Sequence, residues 1–369
     1  MKTLLILILL FYSVLTAGEK KKWEFETSSG KSLEVDMSTQ YDISVTGWKE
    51  NKILVETDIE DGDEKEESLH FRQFNGNLKI SSGFIDKGGS ELTIRVPYKF
   101  DLDLATMGGD IRIETIEGEI SGKTMGGDLE FFELNGSIEF TTMGGDIDVH
   151  NSNISGELKT MGGELDFDNV NGALKASTMG GDVTSRSSKK DMAKDNAGEL
   201  QLSTMGGDII IDSAPLGVDV STMGGDIQVR QAGDHVKATT MGGDVSVDAI
   251  DGSIKASTMG GDVTANMVGD PNKGDRDVNL SSMGGDILLT LPAGLSIEFD
   301  IKLTYTKHGE KKYSIKSDFP IKLEESEGWD YSQGSPKKYI FGTGQIAGGK
   351  NRVKIETING DIVIKKGSN

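Results

Sequence analysis

Thr106-Met107-Gly108-Gly109-Asp110-Ile111-Arg112-Ile113 is followed eighteen residues later by Thr124-Met125-Gly126-Gly127-Asp128-Leu129-Glu130-Phe131. The pentapeptide [ST]-M-G-G-[DE] then recurs until it has appeared ten times, with methionines at 107, 125, 143, 161, 179, 205, 223, 241, 259 and 283. The steps are 18 residues, except for one of 26 and one of 24. A fixed period of this length marks a repeat architecture and governs the reading of everything around it.

Around each methionine the apolar residues keep fixed offsets. Ile120, Ile138, Leu174, Val218 and Ile254 stand five before it, and Phe140, Leu158, Leu202 and Leu280 stand three before it. Ile111, Leu129, Ile147 and Val183 follow four after it, with Ile113, Phe131, Val149 and Phe167 six after it. Spacing of two with β-branched residues reads as strand. Glycine pairs in every period would break any helix. Two short strands and two bends per 18 residues describe one coil, and each coil buries its apolar face only by stacking on neighbours. The fold class is therefore all-β: a single-stranded β-solenoid of 18-residue coils, capped by N- and C-terminal β segments.

Inward positions are odd-numbered before the methionine and even-numbered after it. A one-residue shift turns a straight strand inside out, so the chain must bulge or turn a corner at Met-Gly-Gly, where glycine suits the positive φ and tight approach required. The corner residues singled out are Met107, Gly108, Gly109, Asp110, Met125, Asp128, Met143 and Asp146. The simplest expectation places methionine inside, filling the corner of the core. The alternative is an exposed adhesive stripe, since a row of ten would approach the patch size that marks interfaces. The acid of each tag forms a second column, which either accepts backbone N–H groups at the turn or, through Asp110, Asp128 and Asp146, offers oxygen ligands to a hard cation.

The remaining composition fits an elongated repeat. In 369 residues there are 49 glycines, 14 methionines, 6% aromatics and no cysteine. Disulfides, thiol chemistry and a lipid-bearing cysteine are excluded. A net charge of −21 opposes binding to nucleic acid. Lys2, the apolar run Leu4 to Leu15 and the small residues Thr16-Ala17-Gly18 predict a signal peptide over residues 1–18. No later segment is long enough for a transmembrane span. Periplasm, outer surface or secretion to the medium follow as destinations.

Residues 19–104 lack the tag but alternate as strands and predict a lead-in that covers the first coil's open edge. Asp58 to Glu67 is an acidic, solvated loop. Residues 105–300 hold the ten coils, and residues 301–369 form a C-terminal β segment ending in a closing coil that carries Asn359-Gly360-Asp361-Ile362. The two lengthened steps fall near 186–197 and 267–276, at the same place in their coils, where insertions in repeats map to one side. The first is basic: Arg186, Lys189, Lys190 and Lys194 make it a candidate contact loop.

Catalysis finds little support. His70, His150, His235 and His308 are scattered, and an acid repeated in every coil is a structural device before it is a catalytic one. Residues 101–300 contain no Trp or Tyr on which a sugar could stack. No cofactor is implied.

The segment Ile94-Arg95-Val96-Pro97, followed by Asp101-Leu102-Asp103-Leu104-Ala105-Thr106-Met107-Gly108-Gly109-Asp110-Ile111, resembles the bacterial "putative adhesin" family, a domain-of-unknown-function group of exported proteins. The recurrent Gly-Gly-Asp-[Ile/Val/Leu] and the final Asn359-Gly360-Asp361-Ile362-Val363-Ile364 carry the same likeness, which spans residues 33–365. The resemblance implies a β-solenoid without known catalytic residues. The expected function is a non-enzymatic adhesin or envelope scaffold, bound to an envelope or extracellular protein or glycan whose identity the sequence leaves open. The alternatives are a polysaccharide-active enzyme built on a β-helix and a cation-binding solenoid.

Overall fold

The computed structural model describes residues 21–57, 69–82, 90–187, 197–307, 313–332 and 334–367. These contain 33 strands and no helix. Each coil gives one strand to each of two stacked sheets. The strand Asn135–Thr141, for example, leads through the tag at Met143 into Ile147–His150 on the opposite sheet, and a short bend returns the chain to Asn153–Lys159.

Successive strands pair in parallel and in register, so columns of like residues run the length of the core. On one sheet Ile111, Leu129, Ile147, Leu165 and Val183 are consecutive partners. On the other, Ile120 pairs with Ile138 and Val218 with Val236. All are buried, and burying each such side chain contributes about 1.5–3 kcal/mol. Where one coil has too little volume the next supplies it. Gly122 replaces an apolar residue in its column, and a Cβ there would lie 2.5 Å from the ring of Phe140, which fills the space. Phe140 also meets Phe131 across the sheets at 4.9 Å between ring centroids. The second bend places Thr115, Glu133, Asn151 and Asn169, eighteen apart, in the left-handed region at φ between 48° and 60°.

The ends are threaded out of sequence. Lys31–Asp36 and Tyr41–Trp48 form the rung that touches Phe100–Ala105 and Ile111–Glu114. The later segments Asn77–Ser82 and Ser90–Pro97 lie outside it. The C-terminal end mirrors this arrangement. Asn351–Ile358 and Ile362–Lys366 stack directly on Val278–Ser282 and Ile287–Leu291, while Ile297–Thr306 and Ile315–Ser317 cover them from beyond. The coil that ends the sequence is thus the penultimate rung. Antiparallel strands finish three of the four sheet edges. Lys21–Glu26 and Lys52–Thr57 close one, Leu69–Phe74 another, and Lys337–Ile346 with Lys322–Glu325 a third. Parallel growth stops at each of these edges.

Candidate functional site

The corner is the one feature repeated at every tagged coil, and its five residues divide by what surrounds them. The threonine is inside. Thr124, Thr142, Thr160, Thr178, Thr204, Thr222, Thr240 and Thr258 are all buried, as is Ser282. The hydroxyl of Thr142 donates to the carbonyl of Gly127 in the preceding coil at 2.9 Å and accepts the amide of Gly145 in its own coil at 3.3 Å. The same two bonds recur at Thr222, with Gly207 and Gly225, and at Thr258, with Gly243 and Gly261. A buried hydroxyl used in both directions carries no desolvation penalty.

The second glycine is fixed by backbone proximity and not by the expected positive φ, which no tag glycine adopts. A Cβ on Gly127, Gly145 or Gly163 would fall 2.0 Å from the carbonyl oxygen of the equivalent glycine one coil earlier. The first glycine is much less restricted: a Cβ on Gly126 or Gly144 would meet no atom closer than 3.8 Å, and one on Gly242 would meet the carbonyl oxygen of Gly224 at 3.2 Å.

The acid column accepts backbone N–H groups at the turn. The carboxylate Oδ1 of Asp110 accepts the backbone N–H of Asp128 at 2.8 Å, Asp128 accepts that of Asp146 at 2.8 Å, and Asp146 accepts that of Glu164 at 2.7 Å. The ladder resumes from Asp182 through Asp208, Asp226, Asp244, Asp262 and Asp286 to Asp361. Apart from Glu164, each of these carboxylates up to Asp286 thus binds the next coil's N–H, which offsets the repulsion between neighbouring acids. Among the described residues no group of three His, Cys, Asp or Glu side chains is arranged to hold a metal ion.

The methionines stand outside. Met107, Met125, Met143, Met161, Met179, Met205, Met223, Met241, Met259 and Met283 are each 41–56% exposed. The expectation that they fill the core corner is overturned. The inward place belongs to threonine, whose hydroxyl the glycine backbone satisfies, and methionine, its neighbour in the chain, faces solvent. The corner backbones themselves are joined, the carbonyls of Met179, Met205 and Met223 accepting N–H groups from Gly206, Gly224 and Gly242 at 3.1 Å. The result is an external ridge of thioethers parallel to the acid column.

The candidate contact loop is placed in part. Arg186 ends the strand Val183–Arg186 and binds Asp166 at 2.7 Å, and this hydrogen-bonded carboxylate raises the guanidinium pKa above its ordinary value. Lys189, Lys190 and Lys194 lie outside the described residues, as do the predicted signal peptide, His308 and the acidic loop 58–67. Near Arg186 on the same face, Asp148 is half-buried and its carboxyl is pushed above the usual range, first by burial and then by Asp166.

Two features escaped the sequence reading. The second insertion, 267–276, is anchored by Arg276. This fully buried guanidinium donates to the carbonyls of Val268, Asp270 and Lys273 and forms an ion pair with Asp251. An arginine among loop residues gave no signal of this, because its carbonyl partners are backbone groups common to all residues. The other feature is a shallow depression of about 380 Å³ around His235, Lys237, Lys255, Asn279, Arg352 and Lys354. It forms only because the C-terminal coil stacks beside residues 253–279. Among the described residues no helix is long and apolar enough to cross a membrane.

The family model described as Toastrack DUF4097 matches residues 20–290. Among curated proteins nothing matches the chain. Among solved structures, a "putative adhesin" from Parabacteroides distasonis is 11% identical, with 74% of this chain and 98% of that chain covered and a TM-score of 0.33. A "putative adhesin" from Parabacteroides merdae is 14% identical, with 74% and 96% covered and a TM-score of 0.30. A "putative cell adhesion protein" from Clostridium sporogenes is 12% identical, with 95% and 100% covered and a TM-score of 0.19.

Proposed function

The chain belongs to the Toastrack DUF4097 family, and from that premise we propose that it is an exported, non-catalytic β-solenoid acting as an adhesin or envelope scaffold. The observation that carries this reading is where the repeated polar groups go. Thr142 and Thr222 bond the backbones of two coils, and Asp128 and Asp226 cap the coil that follows. Chemistry-bearing side chains are thereby committed to holding the rod together, and what the rod offers outward is extended surface. A catalytic site needs one asymmetric constellation, and the acids that recur in every coil are evenly committed.

In this reading residues 1–18 direct export, residues 19–104 and 301–369 cap the rod, and residues 105–300 set its length. The basic segment carrying Lys189, Lys190 and Lys194 then contacts an anionic protein or glycan of the envelope, a complementary match for cations on a chain of net charge −21. The test uses protein beginning at residue 19, incubated with purified envelope material of the producing cell at increasing salt. Saturable retention that Lys189→Gln, Lys190→Gln and Lys194→Gln together weaken supports the reading. Release of new sugar ends from a polysaccharide panel by the pure protein would overturn it in favour of an enzyme.

A further inference from the structure

Three of the five tag residues have a stated structural duty, and the methionine side chain has none. The molecule contains its own comparison. Its C-terminal coil turns the corresponding corner with Thr357-Ile358-Asn359-Gly360-Asp361, keeping the inter-coil bonds although Asn359 takes φ 56° where the first glycine of a tag is not left-handed. Thr357 donates to the carbonyl of Gly285 at 2.8 Å, and a Cβ on Gly360 would sit 1.9 Å from that oxygen. The amide of Asp361 reaches Asp286 at 2.7 Å. Threonine, second glycine and acid are kept, while methionine and first glycine are replaced. At the other end Ser38-Thr39-Gln40-Tyr41-Asp42 receives the first tagged coil without methionine, with Asp42 accepting the amide of Asp110 at 3.0 Å. Corner formation therefore does not require the thioether, yet all ten intervening coils present one to solvent.

We propose that this ridge is a binding site for soft monovalent cations of the Cu(I) and Ag(I) type, with thioethers of two or three consecutive coils as the ligands. Five considerations converge. The chain has no cysteine, so every sulfur donor is a methionine, and ten of the 14 lie on this one line. The coils stack with corner backbones hydrogen-bonded, which fixes neighbouring methionines roughly one strand spacing apart, about 4.8 Å. Methionine is unbranched and flexible, and its sulfur is polarisable, so adjacent thioethers at that spacing can turn towards one ion. The first glycine leaves the ridge unobstructed by a side chain of its own. Thioethers are neutral, and the parallel row of carboxylates supplies the negative potential that concentrates a cation there.

The ligand type decides the ion. Soft sulfur ligands select Cu(I), whereas carboxylate, carbonyl and water suit Mg²⁺, Ca²⁺ and Mn²⁺. The carboxylates beside the ridge already accept backbone N–H groups. They set the field, and the sulfur atoms form the coordinating bonds.

The experiment titrates silver nitrate, in chloride-free buffer, into protein beginning at residue 19. Heat and the methionine methyl resonances are followed together. Roughly three to five ions should bind per chain if two or three thioethers serve each, and ridge methyl resonances should move while those of buried Met37 and Met267 stay. Calcium should move none of them. Protein in which norleucine replaces methionine keeps the shape and apolarity of the ridge and loses only sulfur, so it should melt as before and lose the ions bound at the ridge. Should that protein not fold, M205L, M223L and M241L combined should remove about a third of the bound ions. Equal silver binding by the norleucine protein, or binding that leaves the ridge methyls unmoved, would assign the ion to imidazoles or carboxylates and overturn the proposal.

Discussion

The corner at Thr222–Asp226 and the corner at Thr357–Asp361 stand in the same stack, with inter-coil bonds of 2.7–2.9 Å at threonine and acid. One reads T-M-G-G-D and the other T-I-N-G-D. What they share is aimed inward or along the rod; of what differs, the methionine faces solvent, whereas Ile358 and Asn359 are half-buried and Asn359 Oδ1 accepts the amide and hydroxyl of Thr306. The difference separates the residues that make a rung from those that a rung merely displays, and substitutions at one tagged coil can break or sharpen it.

The largest effect should come from Gly225→Ala. The new Cβ would lie 2.1 Å from the carbonyl oxygen of Gly207, backbone against backbone, where nothing can yield. A loss of about 4 kcal/mol or more is expected, read as collapse of amide protection in residues 207–245. Gly224→Ala meets Gly206 only at 3.4 Å and should cost about 1 kcal/mol or less. If the two alanines proved equal, the division between the glycines would be wrong.

Next comes Thr222→Val, which keeps the shape and deletes both hydroxyl bonds. With the Gly207 carbonyl and Gly225 amide losing a buried partner, a cost of about 1–3 kcal/mol is expected, measured by denaturant midpoint, and serine should restore most of it. Asp226→Ala frees the amide of Asp244, but at an exposed position where water substitutes. About 0.5–1 kcal/mol should be lost, and asparagine, which keeps an acceptor oxygen, should recover it. Met223→Leu should change the melting midpoint least, within about 0.5 kcal/mol. A penalty as large as that of Thr222→Val would return methionine to the set of structural residues.

The solenoid was legible because its interior stacks like on like, so the eighteen-residue offsets of Ile111, Leu129 and Ile147 state the register directly. The side that methionine takes was legible too, had the odd-offset rule been carried one step further. Residues five, three and one before methionine point inward, which puts threonine in and methionine out. Polarity hid this, since a threonine is admitted to the core only by the glycine carbonyl it bonds, and that carbonyl belongs to the previous coil. The swapped order of the terminal rungs was not legible. Thr357 to Asp361 carry the corner's chemistry, but any rung offers the same acceptor, so the phrase has no address. The setting of Arg276 was hidden for the related reason that its carbonyl partners carry no residue-type signature.

The acid ladder has a direction: the carboxylate of Asp208 holds the amide of Asp226, and Asp226 holds that of Asp244. In crystallographic language the rod is a one-dimensional lattice with an 18-residue unit cell, the insertions its stacking faults and the end coils its surfaces. A lattice forgives the loss of a whole cell and not of a fraction. Excising residues 223–240 joins Thr222 to Met241, rewrites the same tag and brings the amide of Asp244 to the carboxylate of Asp208. The rod shortens by one rung of about 4.8 Å, with every surviving contact re-formed. Removing nine residues instead would set inward side chains against solvent. Length, in such a molecule, is a quantity that heredity can adjust in whole steps without touching the chemistry of any one of them.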